Sequence, residues 1–141
     1  MREQYPLHIN SLASIHYVAS QLPKKWGIFP QKLTALRYRA NIYMTGPPPF
    51  TEDHWKKVEI GGLKYHISCR TTRCNLPCVN PETGEVDLKN LNTEMRKFRV
   101  IDEGSKAACL GVQSTPLEEG PIRIGDMIKV LETGKHFYLS K

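Results

Sequence analysis

Three thiols fall within residues 69–78, in the stretch CRTTRCNLPCVNPETG that runs over residues 69–84. A thiolate is both the nucleophilic and the metal-binding form of cysteine, and neighbouring cations lower the pKa at which it forms. Arg73 stands directly before Cys74, Arg70 lies four residues before it, and Thr71 and Thr72 add hydroxyl donors. Cys74 is therefore the first candidate for a single thiolate ligand or nucleophile. His66, Cys69, Cys74 and Cys78 offer a second chemistry, a tetrahedral zinc site. Their packing into residues 66–78 departs from the usual pattern of two close ligand pairs separated by a longer loop. A cysteine–histidine dyad using His8, His16, His54 or His66 has no local motif behind it. Cys109, in the apolar run AACL, reads as a small buried hydrophobe. The residue types of Asn80, Pro81, Glu82, Thr83 and Gly84 suit a tight turn that closes the loop.

Other elements must hold this loop. Leu12, Ile15, Val18, Ala19 and Leu22 recur at helical spacing until Pro23, which predicts a helix capped by Asn10 or Ser11. Its first turn carries Ser11 and Ser14 and no acid, so its positive end has no internal counter-charge and could receive an anion. Serine capping is the alternative use of the same residues. Residues 23–34 read as a loop with Trp26 and Phe29 partly tucked in. Residues 36–44 alternate as a strand should, which would put Arg37, Arg39 and Asn41 on one face as an oxyanion clamp or a solvated surface, with Leu36, Tyr38, Ala40, Ile42 and Met44 facing the core. Residues 55–68 predict a hairpin turning at Gly61-Gly62 and leading into Cys69. Leu91, Met95 and Phe98 predict a short helix ending near Val100. Strand-like runs follow at 108–113, 122–124 and 127–132. The sum is an α+β, mostly β, barrel-like sheet with one or two short helices.

A chain of 141 residues with 40% hydrophobic and 24% charged residues suits one domain with a real core. No run approaches the roughly 18 apolar residues of a membrane span. The first residues show no secretory h-region, so an intracellular, reducing compartment and free thiols are expected. A net charge of +6 points to an anionic partner, although the basic residues are dispersed and form no block.

The order of motifs resembles the MOSC family, named after the C-terminal part of molybdenum cofactor sulfurase. The matching pieces are PLHINSLAS, RYRANIY, FTEDHWK, TTRCNLPCVNPETGE, and CLGVQ followed by GPIRIGDMIKVL. The resemblance covers almost the whole chain, is strongest to the fungal branch, and implies a single barrel-like MOSC β-domain over residues 1–141. Larger members carry an N-terminal β-rich region that this chain, beginning at Met1, is expected to lack. The resemblance implies a molybdenum cofactor (a molybdopterin), with Cys74 binding the metal and acting in catalysis. It also implies cofactor contacts from Ser14, Arg39, Asn41, Thr72 and Arg73. The implied activity is molybdenum-dependent reduction of N-hydroxylated small molecules, or cofactor and sulfur handling. Pyridoxal phosphate binding attaches only at family level. Electrons would come from a separate haem or flavin protein, because no haem, flavin or nicotinamide motif is present. The anionic partner is then the cofactor and not nucleic acid, in the cytoplasm or mitochondrion. A noncatalytic cofactor-binding remnant and a zinc-stabilised anion-binding domain are the alternatives.

Overall fold

The computed structural model describes residues 7–22, 35–73, 76–79, 82–86, 90–101 and 105–134. Its centre is one curled six-stranded sheet in the order β2-β1-β5-β4-β3-β6. The strands are β1 Leu7–Ser11, β2 Ile42–Met44, β3 Trp55–Ile60, β4 Leu63–Thr72, β5 Cys109–Pro116 and β6 Ile128–Thr133. Only β1 and β2 run parallel; the remaining pairs are antiparallel. Two helices, α1 Leu12–Ser20 and α2 Leu91–Arg99, accompany the sheet, so the mostly β architecture expected from the residue pattern is the one observed. Among the described residues no helix is long and apolar enough to cross a membrane.

The sheet separates two apolar cores. Ile15, Val18, Ala19 and Leu22 of α1 pack with Leu91 and Met95 of α2, Tyr38, Cys78 and Leu110 on one side. Ile9, Trp55, Val58, Ile60, Tyr65, Ile67 and Val112 fill the other. Buried aliphatic side chains of this kind each contribute roughly 1.5–3 kcal/mol. β4 shows the expected alternation: Tyr65 and Ile67 point inward while Lys64, His66 and Ser68 face solvent.

β5 lies between β1 and β4, and its first four residues are buried, packed between the two cores. Leu110 serves the helix-side core and Val112 the opposite one, although residues two apart on a regular strand share a face. Gly111 between them has φ +88°, and the β4–β5 register slips there, Arg70 facing Val112 while Thr72 faces Cys109. This bulge passes the apolar side chains of β5 from one core to the other.

Several local expectations are corrected. Asn10 belongs to β1, whose five residues the sequence reading did not separate from the helix; Ser11 alone is the N-cap, its Oγ accepting from Ser14 N at 3.4 Å. The strand expected over residues 36–44 is a 3₁₀ turn at Ala35–Tyr38 followed by the three residues of β2. Arg37, Arg39 and Asn41 therefore do not share a strand face. Residues 122–124 are irregular rather than a strand. The hairpin at Gly61-Gly62 and helix α2 lie where the residue pattern puts them. The loop at 23–34, with Trp26 and Phe29, lies outside the described residues.

Candidate functional site

The end of β4 delivers Thr72 and Arg73, and the backbone N–H of Arg73 donates to Ala108 O at 2.8 Å. Its guanidinium then turns back over the sheet. Nε and Nη2 donate to Leu110 O at 3.0 and 2.7 Å, Nη1 donates to Tyr38 O at 3.1 Å, and Nη2 lies 2.6 Å from His8 Nε2. The same group sits 5.0 Å from the centre of the Tyr38 ring. Burial, and then the charge of Arg73, lower the His8 pKa to about 4. The imidazole is thus neutral at physiological pH and accepts from the guanidinium. Arg73 ties β4, β5, β1 and the 3₁₀ turn together at one point.

Asn41 reinforces that point from the other side. Its Oδ1 accepts from His8 N at 2.8 Å and its own N–H donates to His8 O at 2.9 Å, extending the β1–β2 pairing by one residue. Arg39 follows the turn in a left-handed conformation, φ +51°, with an exposed side chain. That backbone state is costly for a residue with a Cβ and is held by what surrounds it. Thr72 is half-buried opposite Cys109. The Arg73 guanidinium thus joins His8, which pairs with Asn41, and Tyr38, which precedes Arg39; Thr72 faces Cys109, farther along β5 from Gln113, the partner of His8. Cys74, next in the chain after Arg73, lies outside the described residues.

Ser14 belongs to a different network. It is fully buried; its Oγ accepts from Phe50 N and donates to Glu52 Oε2, both at 2.8 Å. A hydroxyl has one proton to donate, and here Glu52 receives it. The sequence reading that the first turn of α1 holds no acid is true of α1 itself, but Glu52 from the 3₁₀ turn Thr51–His54 stands there instead. Beside it, Asp53 Oδ1 accepts from Arg99 Nη2 at 2.9 Å, and Arg99 Nε donates to Cys109 O at 2.8 Å. Arg99 also stacks 3.9 Å over the Phe50 ring. Arg70 donates to Asp53 O at 3.0 Å and Ile101 O at 3.3 Å. Sequence reasoning passed over this network. Its one signal was the pair of adjacent acids, Glu52-Asp53, just before an apolar strand.

Burial pushes the Glu52 carboxyl up from its ordinary value, more than its bond from Ser14 pulls it down, and Oε1 is buried without a partner. A carboxyl raised in the folded state keeps its proton while the unfolded chain ionises. It therefore destabilises progressively as pH rises from the unfolded value of about 4.3 through the folded one. Glu52→Gln is expected to remove that loss, raising the urea midpoint relative to wild type at pH 8 but not at pH 4. An equal difference at the two pH values would refute the assignment.

The zinc quartet finds no support among the described residues, where no three His, Cys, Asp or Glu side chains could share a metal ion. Cys78 is buried in the helix-side core, Cys69 is half-buried and His66 is exposed on the outer sheet face. Cys109 is fully buried, as its apolar surroundings suggest. Residues 80–81 lie outside the description; Val79 and Val86 form an antiparallel bridge, and Gly84 has φ +76°.

The described residues form a curled, mostly β sheet with two helices. The MOSC domain model matches residues 1–129, and the chain belongs to the MOSC domain family. It is 29% identical over 131 residues to the rat mitochondrial amidoxime reducing component 2, covering 87% of this chain and 36% of the relative. Similarity to the human mitochondrial amidoxime reducing component 2 is 27% over 103 residues, 70% of this chain and 31% of that one. The molybdenum cofactor sulfurase of Caenorhabditis elegans is 41% identical over 63 residues, 45% of this chain and 9% of the sulfurase. The matched part of the chain spans about a third of the length of these amidoxime reducing components.

Proposed function

We propose that residues 1–141 form a unit that binds the molybdenum cofactor, with Cys74 as thiolate ligand, and that reduces N-hydroxylated small molecules. The reading rests on one observation above all: the guanidinium of Arg73, the residue before Cys74 in the chain, is joined to His8, which pairs with Asn41, and to Tyr38, which precedes Arg39. When bound, the cofactor would supply the two-electron redox change, with electrons arriving from a separate haem or flavin protein.

The donor set suits an anionic, sulfur-rich group at this end of the sheet. Arg39 offers an exposed guanidinium for a phosphate, and Thr72 a half-buried hydroxyl. Thr71 Oγ1 is buried with no partner, as are both amide atoms of Asn10. Asn41 and Arg73 work differently in this reading. Asn41 is committed to His8, and Arg73 to His8, Leu110 and Tyr38, so they hold the backbone around the end of β4. Ser14 does not fit as a direct contact, because Phe50 and Glu52 use its hydroxyl. It serves instead to fix the start of α1. A thiolate at Cys74 beside Arg73 suits a soft metal centre.

Purified protein is expected to retain close to one molybdenum and one molybdopterin per chain, falling to background in Cys74→Ala with an unchanged far-UV spectrum. Absence of molybdopterin from wild type, or zinc bound in its place, would sink the proposal. A second reading is a noncatalytic cofactor-binding module. Reduction of an amidoxime with an artificial electron donor by loaded protein separates the two.

A further inference from the structure

We propose that the chain pairs with a second copy of itself along β6, by antiparallel strand addition about a two-fold axis between Val130 and Leu131. Among the described residues β6 ends the sheet, with β3 on one side only. The strand and the turn before it carry large apolar side chains in solvent: Ile124 and Met127 are almost fully exposed, and Val130 and Leu131 are each 39% exposed. An open edge of this kind presents unpaired N–H and C=O groups to any matching strand.

The backbone selects the register. Met127 O accepts from Gly61 N and Gly134 N donates to His54 O, so residues 127 and 134 both face β3. They are an odd number of residues apart, which regular alternation does not allow. The slip between the pairs Val58–Val130 and Lys57–Glu132 leaves Leu131 as the extra residue that reconciles them. Ile128, Val130 and Thr133 then direct their backbone groups outward. In the proposed register Ile128 meets Thr133 of the other copy, both outward, Val130 meets Leu131, and Lys129 meets Glu132.

Side-chain chemistry favours the same register. Lys129 and Glu132 stand across from Glu59 and Lys57 on the solvated face. Neither makes an ion pair or a side-chain hydrogen bond among the described residues. The two-fold axis supplies each with an opposite charge, twice over. Moving the axis to Val130 or to Leu131 sets Lys129 against Leu131 or Thr133 and faces no opposite charges. Val130 lies across from buried Val58, so its pairing with Leu131 carries the apolar core between Trp55 and Ile60 over to the other copy. The same patch serves both partners, as two-fold symmetry requires. Opposed charges and apolar cross-strand pairs are the units that stabilise such an edge.

Sedimentation equilibrium of the full chain is expected to give twice the 16.1 kDa chain mass. Lys129→Glu should weaken the dimer about tenfold or more, since two attractive pairs become two repulsive ones. The charge swap Lys129→Glu with Glu132→Lys should restore it. Both positions are exposed, and circular dichroism would verify that the variants fold. A wild type that stays monomeric at the highest concentration reached, a dimer indifferent to Lys129→Glu, or a swap that fails to restore association would each overturn the proposal.

Discussion

Arg99→Ala is expected to lower the unfolding free energy by about 3–5 kcal/mol, the loss that follows when one partner of a buried ion pair is removed. The Arg99 and Asp53 side chains retain only 5% and 6% of their accessible surface and meet at 2.9 Å. Burial pushes the Asp53 carboxyl up while Arg99, and then Arg70 and His54, pull it down, so losing Arg99 leaves burial largely unopposed. The same substitution deprives Cys109 O of its donor and Phe50 of the cation on its ring. Asp53→Ala should cost a comparable amount. The double variant Asp53→Leu with Arg99→Met should recover most of it, because apolar residues of similar volume can replace a buried pair at little cost. Urea unfolding of the four proteins closes the cycle. An Arg99→Ala loss under 1 kcal/mol, the range of exposed pairs, would refute the burial argument.

Gly111→Ala carries the second large effect, about 2–5 kcal/mol, combining left-handed strain with overpacking. At φ +88° an added Cβ would lie 2.7 Å from His8 Nε2, 2.9 Å from Ile9 O and 3.2 Å from Asn10 Cγ. A backbone carbonyl in β1 cannot swing aside as a side chain can. Gly62, at φ +86°, has nothing within 4 Å of its added Cβ, so Gly62→Ala isolates the backbone part at about 1 kcal/mol. Equal midpoint shifts for the two variants would show that the contacts around Gly111 contribute nothing. The crowding falls on His8, which accepts from Arg73, so Gly111→Ala should also lower molybdenum retention while Gly62→Ala leaves it intact.

Where neighbouring residues interact locally, the sequence was a good guide. Gly61-Gly62 marks the β3–β4 turn because a two-residue hairpin demands positive φ there. The stripe Ile15, Val18, Ala19 and Leu22 marks α1, and Leu91 with Met95 marks α2, because helical period alone puts those residues on one face. The ordered motifs from PLHINSLAS to GPIRIGDMIKVL carried the MOSC family. Residues 36–44 misled. Their alternation is that of a strand, yet Tyr38 is drawn into the helix-side core and its carbonyl to Arg73, which turns the segment into a 3₁₀ turn with Arg37 buried and Arg39 exposed.

From residue types and spacing alone come the mostly β fold with two short helices, the hairpin leading to the thiols, and Cys74 as the residue on which the proposed chemistry rests. Tertiary structure decided which polar residues are free to bind and which are already used. Ser14 looked available until Glu52 and Phe50 arrived from 36 and more residues along the chain. Arg73 was read only from its place before Cys74, and the fold adds Leu110, Tyr38 and His8 as partners of its guanidinium. The physical reason is common to both: burial makes an unpaired polar group expensive. Its partner is whatever donor or acceptor the fold brings near, whatever its distance along the chain.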